Sequence, residues 1–205
     1  LVKFGFSKSR LAPDLSLALG SSSFSPAEMN RAYNILANSG VGHELYFIDK
    51  IMDRNGNTIF QHPDSKNKEE LERNINGFPW FNADLTLVPK PFLLLPSLEH
   101  DQQSIDPRIA FITKDILREA LQRGSNGRRT KILGRSDIAG KTGTTNDAIS
   151  TWFSGFHKDL SATVWIGTDD FSSLGNNEFG SSVALPVWVD FMKSALNDLP
   201  IDPWR

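Results

Sequence analysis

The sequence predicts an α+β fold, a mainly antiparallel sheet with flanking helices. Two apolar runs, around residues 152–156 and 162–168, are joined by the tight turn His157-Lys158-Asp159, a connection open only to antiparallel neighbours. Three further segments recur at helical spacing between start and stop signals. The chain has 205 residues, 39% hydrophobic and 22% charged, with 14 Phe and 5 Trp. That composition supports a sizeable core and excludes disorder as the main state.

In order, residues 1–20 carry Gly5, Pro13 and Gly20 and show no long periodicity. Ser25, Pro26 and Glu28 then form a capping box with proline at the first helical position. Met29, Ala32, Tyr33 and Leu36 supply the apolar recurrence, and Ser39-Gly40 the stop. A hairpin follows, with strands at 46–52 and 58–60 around Asp53-Arg54-Asn55-Gly56-Asn57. Residues 62–105 change character: 64–73 are highly charged, and Pro79, Pro89, Pro91 and Pro96 punctuate the rest. This is expected to be a surface excursion within one domain.

Asp106-Pro107 opens a helix to about Gln122, with Ile109, Ile112, Ile116 and Ala120 as its expected buried stripe and Gly124 as its end. Gly127-Arg128-Arg129 marks a polar turn. Strands are expected at 138–144, 152–156 and 162–168. A Gly- and Asn-rich loop, 175–180, precedes a last helix whose Trp188, Phe191, Met192 and Ala195 share a face. There is no internal repeat. Residues 1–197 are expected to belong to one domain, with 198–205 as a tail.

A net charge of −2 gives no electrostatic reason to expect nucleic acid as a partner. The absence of cysteine removes disulfides, thiolate catalysis and cysteine metal sites. The apolar run Phe92, Leu93, Leu94, Leu95 is far short of the roughly 20 residues that span a bilayer. Leu1 is no start methionine and no leader precedes the first helix, so the chain is expected to be part of something longer. His43, His62, His100 and His157 lack ligand spacing, so no metal site is expected. Asp169-Asp170 follow a strand and suit a solvated turn, and Arg128-Arg129 suit a polar helix end.

The chemistry concentrates in Gly140-Lys141-Thr142-Gly143-Thr144-Thr145-Asn146-Asp147. On an exposed strand end, Lys141 supplies a positive charge, and Thr142 and Thr144 turn their hydroxyls to one face. That set suits an anionic ligand, with two hydroxyl donors for a carboxylate. Gly143 lets another backbone come close. A ligand lying along the edge could pair as an added strand, and backbone N–H groups there suit an oxyanion.

The extended run 141–147, followed by Trp152-Phe153-Ser154-Gly155-Phe156 and Val164-Trp165-Ile166-Gly167, resembles the third motif of class A penicillin-binding proteins. Residues 16–21, 25–29, 31–33, 37–40 and Leu133-Gly134-Arg135 also resemble that family's transpeptidase domain. The resemblance implies the C-terminal part of a penicillin-binding transpeptidase, of the fold shared with serine β-lactamases. It implies a D,D-transpeptidase of the acyl-serine type that cross-links peptidoglycan stem peptides ending in D-Ala-D-Ala and is acylated by β-lactams. Thr142 and Thr144 would hold the terminal carboxylate, Lys141 would set the local field, Gly143 would admit the ligand backbone, and the Thr144 N–H would serve the oxyanion hole. No metal or organic cofactor is implied. The implied partners are stem peptides, β-lactams and the preceding N-terminal portion of the same protein. The implied location is the periplasmic face of the bacterial inner membrane, with membrane contact only through an N-terminal anchor outside this chain.

The family's nucleophile, in Ser-x-x-Lys, and its second motif, Ser-x-Asn, both precede the matched region. One literal match to each overlaps at Ser65-Lys66-Asn67-Lys68. It sits in a solvated charge run, without the apolar helix that buries a Ser-Lys pair, and on the wrong side of the Glu28 helix. The nucleophile is therefore expected outside this chain. A serine β-lactamase-type hydrolase and a non-catalytic module binding wall peptides are the alternatives. The long excursion and the Thr144-Thr145-Asn146-Asp147 continuation weigh against the first.

Overall fold

The computed structural model describes residues 1–43, 45–62, 102–124 and 127–202. The first residues form three short 3-10 turns, Val2–Phe4, Lys8–Arg10 and Leu15–Leu19. Helix α1, Pro26–Ala37, starts as expected: Ser25 Oγ accepts from the Glu28 N–H, and Glu28 Oε2 takes the Ser25 N–H at 2.8 Å. Arg10 reaches the other oxygen of buried Glu28 at 2.7 Å, tying the opening segment to α1. The helix ends where Ser39 and Gly40 adopt positive φ of 52° and 91°.

Short strands β1, Val41–Gly42, and β4, Gln102–Gln103, pair antiparallel. Between them β2, Lys50–Met52, and β3, Thr58–Gln61, make the expected hairpin. Its turn is held by Asp53 Oδ1, which accepts from the N–H groups of Asn55 and Asn57, both at 2.8 Å. The first strand is shorter than expected and begins at Lys50. Most of the expected excursion, including Ser65, lies outside the described residues.

Helix α2, Pro107–Arg123, corrects its expected stripe. Ala110, Lys114 and Leu121 are the buried residues, whereas Ile109, Ile112 and Ile116 stand 58%, 57% and 61% exposed and Ala120 is exposed too. The helix carries apolar residues on two faces, and periodicity alone cannot say which one the sheet takes. The expected polar turn is a single helical turn, Gly127–Thr130.

The centre of the fold is a three-stranded antiparallel sheet ordered β5-β6-β7, namely Ala139–Thr144, Ser150–His157 and Leu160–Gly167. Helix α3, Ala184–Ala195, packs on β6 and β7. Phe153 and Trp188 meet there with ring centroids 4.8 Å apart, both fully buried. Burying a side chain such as Phe153 contributes roughly 1.5–3 kcal/mol. On the opposite face Phe156 and Ala139 pack with Leu36, Ala37, Tyr33 and Leu117 of α1 and α2. Phe191 and Ala195, expected on the buried face of the last helix, are exposed; Leu185 and Val189 take their place beside Trp188 and Met192. Leu185, Trp188, Val189 and Met192 keep the i, i+3, i+4, i+7 spacing of one face, rotated about the helix axis from the expected stripe.

Candidate active site

Strand β5 is buried at one end and open at the other. Ala139 and Gly140 are buried, whereas Lys141 and Thr144 are exposed and Thr142 and Gly143 partly so. Gly140 is required by the close approach of β6: a Cβ there would lie 2.8 Å from Phe153 Cζ and 2.9 Å from the Ser154 carbonyl oxygen. This packing anchors the inner half of the strand and leaves residues 141–144 projecting along the sheet edge.

The register sets the faces. Thr142 opposes Phe153 and Thr144 opposes Thr151, so both threonines share the face on which α3 packs. Lys141, opposite Ser154, lies on the α1 face with Gly143. The expected common face of the two hydroxyls is therefore present. The lysine joins them only by curling round the strand: its Nζ lies 3.2 Å from the Thr142 carbonyl oxygen and 3.5 Å from Thr142 Oγ1. Among the described residues no carboxylate pairs with that ammonium.

No described strand pairs with the outer edge of β5. Beyond the strand the register continues to Thr145, whose N–H donates to the Ser150 carbonyl at 3.1 Å. Bonding alternates along an antiparallel pair, so Thr142 and Thr144 turn their own N–H and C=O groups outward. The contact between Lys141 Nζ and the Thr142 carbonyl oxygen agrees with that orientation. The edge thus offers a positive charge, two hydroxyls and backbone groups that no described strand pairs, side by side.

A wall that sequence reasoning missed stands beside this edge. The 145–150 turn is closed by Thr145 Oγ1, which accepts from the Ser150 N–H at 2.8 Å, and Asp147 and Ala148 adopt positive φ of 58° and 50°. The segment between β7 and α3 is tied to it twice. Leu174 N–H donates to the Ala148 carbonyl at 3.0 Å, and Ser173 Oγ donates to the Asp147 carbonyl at 2.6 Å. A third tie joins the Gly180 N–H to Thr144 Oγ1 at 3.0 Å. The only signal in the sequence was the Gly- and Asn-rich composition of 175–180, which marks a loop without saying what it touches.

The other candidates do not gather. His43 contacts Asn38, His62 stacks on Tyr46 with centroids 3.9 Å apart, and His157 is fully buried at the far end of β6. No cluster among the described residues has the make-up of a metal site. Asp169 is exposed, and Asp170 caps its own turn by accepting from the Ser172 N–H at 3.1 Å. Arg129 donates to the Ser181 carbonyl, while Arg128 is exposed. His100, like Ser65, lies outside the described residues.

The model of the penicillin binding protein transpeptidase domain matches residues 6–193. Penicillin-binding protein 1A of Pseudomonas aeruginosa is 34% identical over 98% of this chain, which spans 26% of that relative. The Neisseria gonorrhoeae protein of the same name is 36% identical over 95% of this chain, which spans 20% of its length. The crystal structure of penicillin-binding protein 1A from Haemophilus influenzae superposes over the whole chain with a TM-score of 0.76 at 28% identity, and 31% of that structure is covered. The chain therefore spans about a quarter of these relatives, and it belongs to the penicillin-binding protein transpeptidase family.

Proposed function

We propose that this chain supplies the carboxylate-binding strand of a serine-type D,D-transpeptidase acting on peptidoglycan stem peptides that end in D-Ala-D-Ala. The serine comes from polypeptide outside this sequence. Its oxygen attacks the carbonyl of the penultimate D-Ala, and its proton passes through a neighbouring base to the departing amine. The C–N bond breaks and D-Ala leaves. The amine of a second stem peptide then attacks the acyl-serine ester, forming the cross-link and restoring the hydroxyl. A β-lactam enters by the same attack, but its ring nitrogen stays tethered to the acyl group.

In this reading the Thr142 and Thr144 hydroxyls donate to the terminal carboxylate, and Lys141 sets the field that favours it. Gly143 leaves room for the peptide backbone, and the outward Thr144 N–H stabilises the oxyanion. The observation that carries the reading is the edge of β5, which no described strand pairs, with an ammonium that no described carboxylate neutralises beside two hydroxyls on one face. Membrane attachment, in the periplasm, is assigned to polypeptide preceding this chain; no described helix is long and apolar enough to cross a membrane.

The test is fluorescent-penicillin labelling of the intact protein, followed by denaturing electrophoresis. Wild type is expected to label and hold the label, with Lys141→Ala labelling at least tenfold more slowly, on the order of one lost charge-assisted contact. Unchanged labelling in Lys141→Ala overturns the assignment. Rapid loss of label would instead identify a β-lactamase-type hydrolase.

A further inference from the structure

We propose that Gly180 is a positioning residue that steers the Thr144 hydroxyl toward donating. This rests on the reading of Thr144 as a carboxylate ligand. A threonine hydroxyl carries one proton and two acceptor lone pairs, and in isolation it rotates freely between donating and accepting. Here the Gly180 N–H, 3.0 Å from Thr144 Oγ1, occupies an acceptor position from the α3 side of the sheet. The hydroxyl proton must turn away from that N–H, and no described group accepts it. A carboxylate can only accept, so an oxygen with one of its lone pairs already taken and its proton free matches it. Both carboxylate oxygens would repel a hydroxyl presented the other way round.

The position requires a glycine for a steric reason. A Cβ on residue 180 would lie 2.5 Å from the Trp152 carbonyl oxygen and 2.6 Å from the Gly143 carbonyl oxygen. Both are backbone atoms of the paired strands and cannot swing aside. The N–H reaches Thr144 because residue 180 rests directly on the β5–β6 ladder. Other bonds fix its place: the Gly180 carbonyl accepts from the Leu185 N–H at 2.8 Å at the start of α3, and Leu174 and Ser173 tie the same segment to the 145–150 turn. The loop before α3 is thereby a second layer that orients a ligand-binding side chain without touching the ligand.

The experiment compares acylation of the intact protein by benzylpenicillin and by its methyl ester, which lacks the negative carboxylate. In wild type the acid should acylate faster, and the ratio of the two rate constants is the readout. Replacing residue 180 by glycolic acid turns its amide into an ester and removes the N–H without adding an atom in the crowded space. It should lower the ratio roughly tenfold, about one hydrogen bond to a charged group, through the acid alone. Gly180→Ala should do the same by lifting the loop off the strands. A ratio indifferent to the glycolate replacement but collapsed by Thr144→Val overturns the positioning role while keeping the carboxylate reading. A ratio indifferent to both overturns both. Equal slowing of acid and ester by the glycolate replacement would mark Gly180 as a structural residue only and also overturn the proposal.

Discussion

Arg135 and Asp137 form a two-point ion pair, Nε to Oδ1 at 2.9 Å and Nη2 to Oδ2 at 2.7 Å, at the end of the sheet remote from Lys141. Both side chains are buried, Asp137 completely. Arg135 also donates to the carbonyls of Leu196, Leu199 and Pro200, while Asp137 accepts from the Asp202 N–H at 2.9 Å. His157, fully buried, takes the Asp159 N–H on Nδ1 and sets its Nε2 3.3 Å from Asp137. The cluster clasps the segment after α3 across the sheet end.

That clasp predicts a pH-dependent stability. Burial pushes the Asp137 carboxyl upward, but the Arg135 hydrogen bond, the Asp202 N–H and the nearby Arg135 and His157 together hold it below its ordinary 3.8. A depressed folded-state value means that the charged form stabilises the fold. The contribution is complete above the unfolded value and fades as pH falls through the lower folded one. Asp137→Asn, which strands a buried guanidinium, should cost about 3 kcal/mol near neutrality. Denaturation of the intact protein across pH should show the gap to wild type narrowing only in strong acid. A gap constant down to the acid limit would contradict the assignment.

At the open end of β5, Thr142→Val should slow β-lactam acylation of the intact protein by a factor on the order of 10. The substitution keeps the shape of the side chain and removes its donor, while Thr142 is only partly buried, so thermal stability should hardly move. Stopped-flow acylation kinetics alongside a melting curve separate the two effects. Wild-type kinetics in a stable variant would exclude Thr142 from the ligand.

Gly155 offers a test of the core. A Cβ there would meet Trp188 Cζ2 at 2.7 Å, the Ala139 carbonyl oxygen at 2.8 Å and Phe153 Cε1 at 2.9 Å. Gly155→Ala should destabilise by about 1–3 kcal/mol through overpacking. In a Trp188→Leu background part of that cost should vanish, because one of the three obstructions has gone. Additive losses in the double variant would mean that the Ala139 backbone and the Phe153 ring, and not Trp188, are the obstacle.

Much of this architecture was legible in the residues. The Ser25–Glu28 box, the Asn55-Gly56 turn and the 157–159 turn are local, and each works through neighbours a few positions away. The open strand with Lys141, Thr142 and Thr144 was legible too, since alternation alone puts the two hydroxyls together. What escaped depends on contacts distant in sequence. Gly180 meets Thr144 across 36 positions, and Arg135 reaches the Pro200 carbonyl across 65. A loop glycine and a lone arginine give no periodic signal, so only the folded chain reveals their partners. The face of α2 failed for a related reason, because two apolar stripes compete and the winner is decided by the sheet.

The losing stripe of α2 leads to the last prediction. Ile109, Ile112 and Ile116 recur at intervals of three and four positions, the spacing of one helix face, and more than half the surface of each is open. Exposed β-branched residues in a row leave an apolar patch that favours association. The portion of the protein proposed to bring the serine is expected to cover this face. The 205-residue chain expressed alone should then self-associate and take no covalent label from fluorescent penicillin, since the proposed reading puts the activated serine in polypeptide outside it. Ile112→Lys should shift the isolated chain toward smaller species in sedimentation, because a charge on an open face costs nothing there and opposes stacking. The same substitution in the intact protein should lower its melting temperature, because a lysine then enters a buried contact without a partner. Opposite responses of the two forms to one substitution show that the face is covered only in the intact protein. A variant equally well tolerated in both would show that the isoleucine stripe faces solvent throughout, and one that disrupts the isolated chain would show that the stripe is already packed within it.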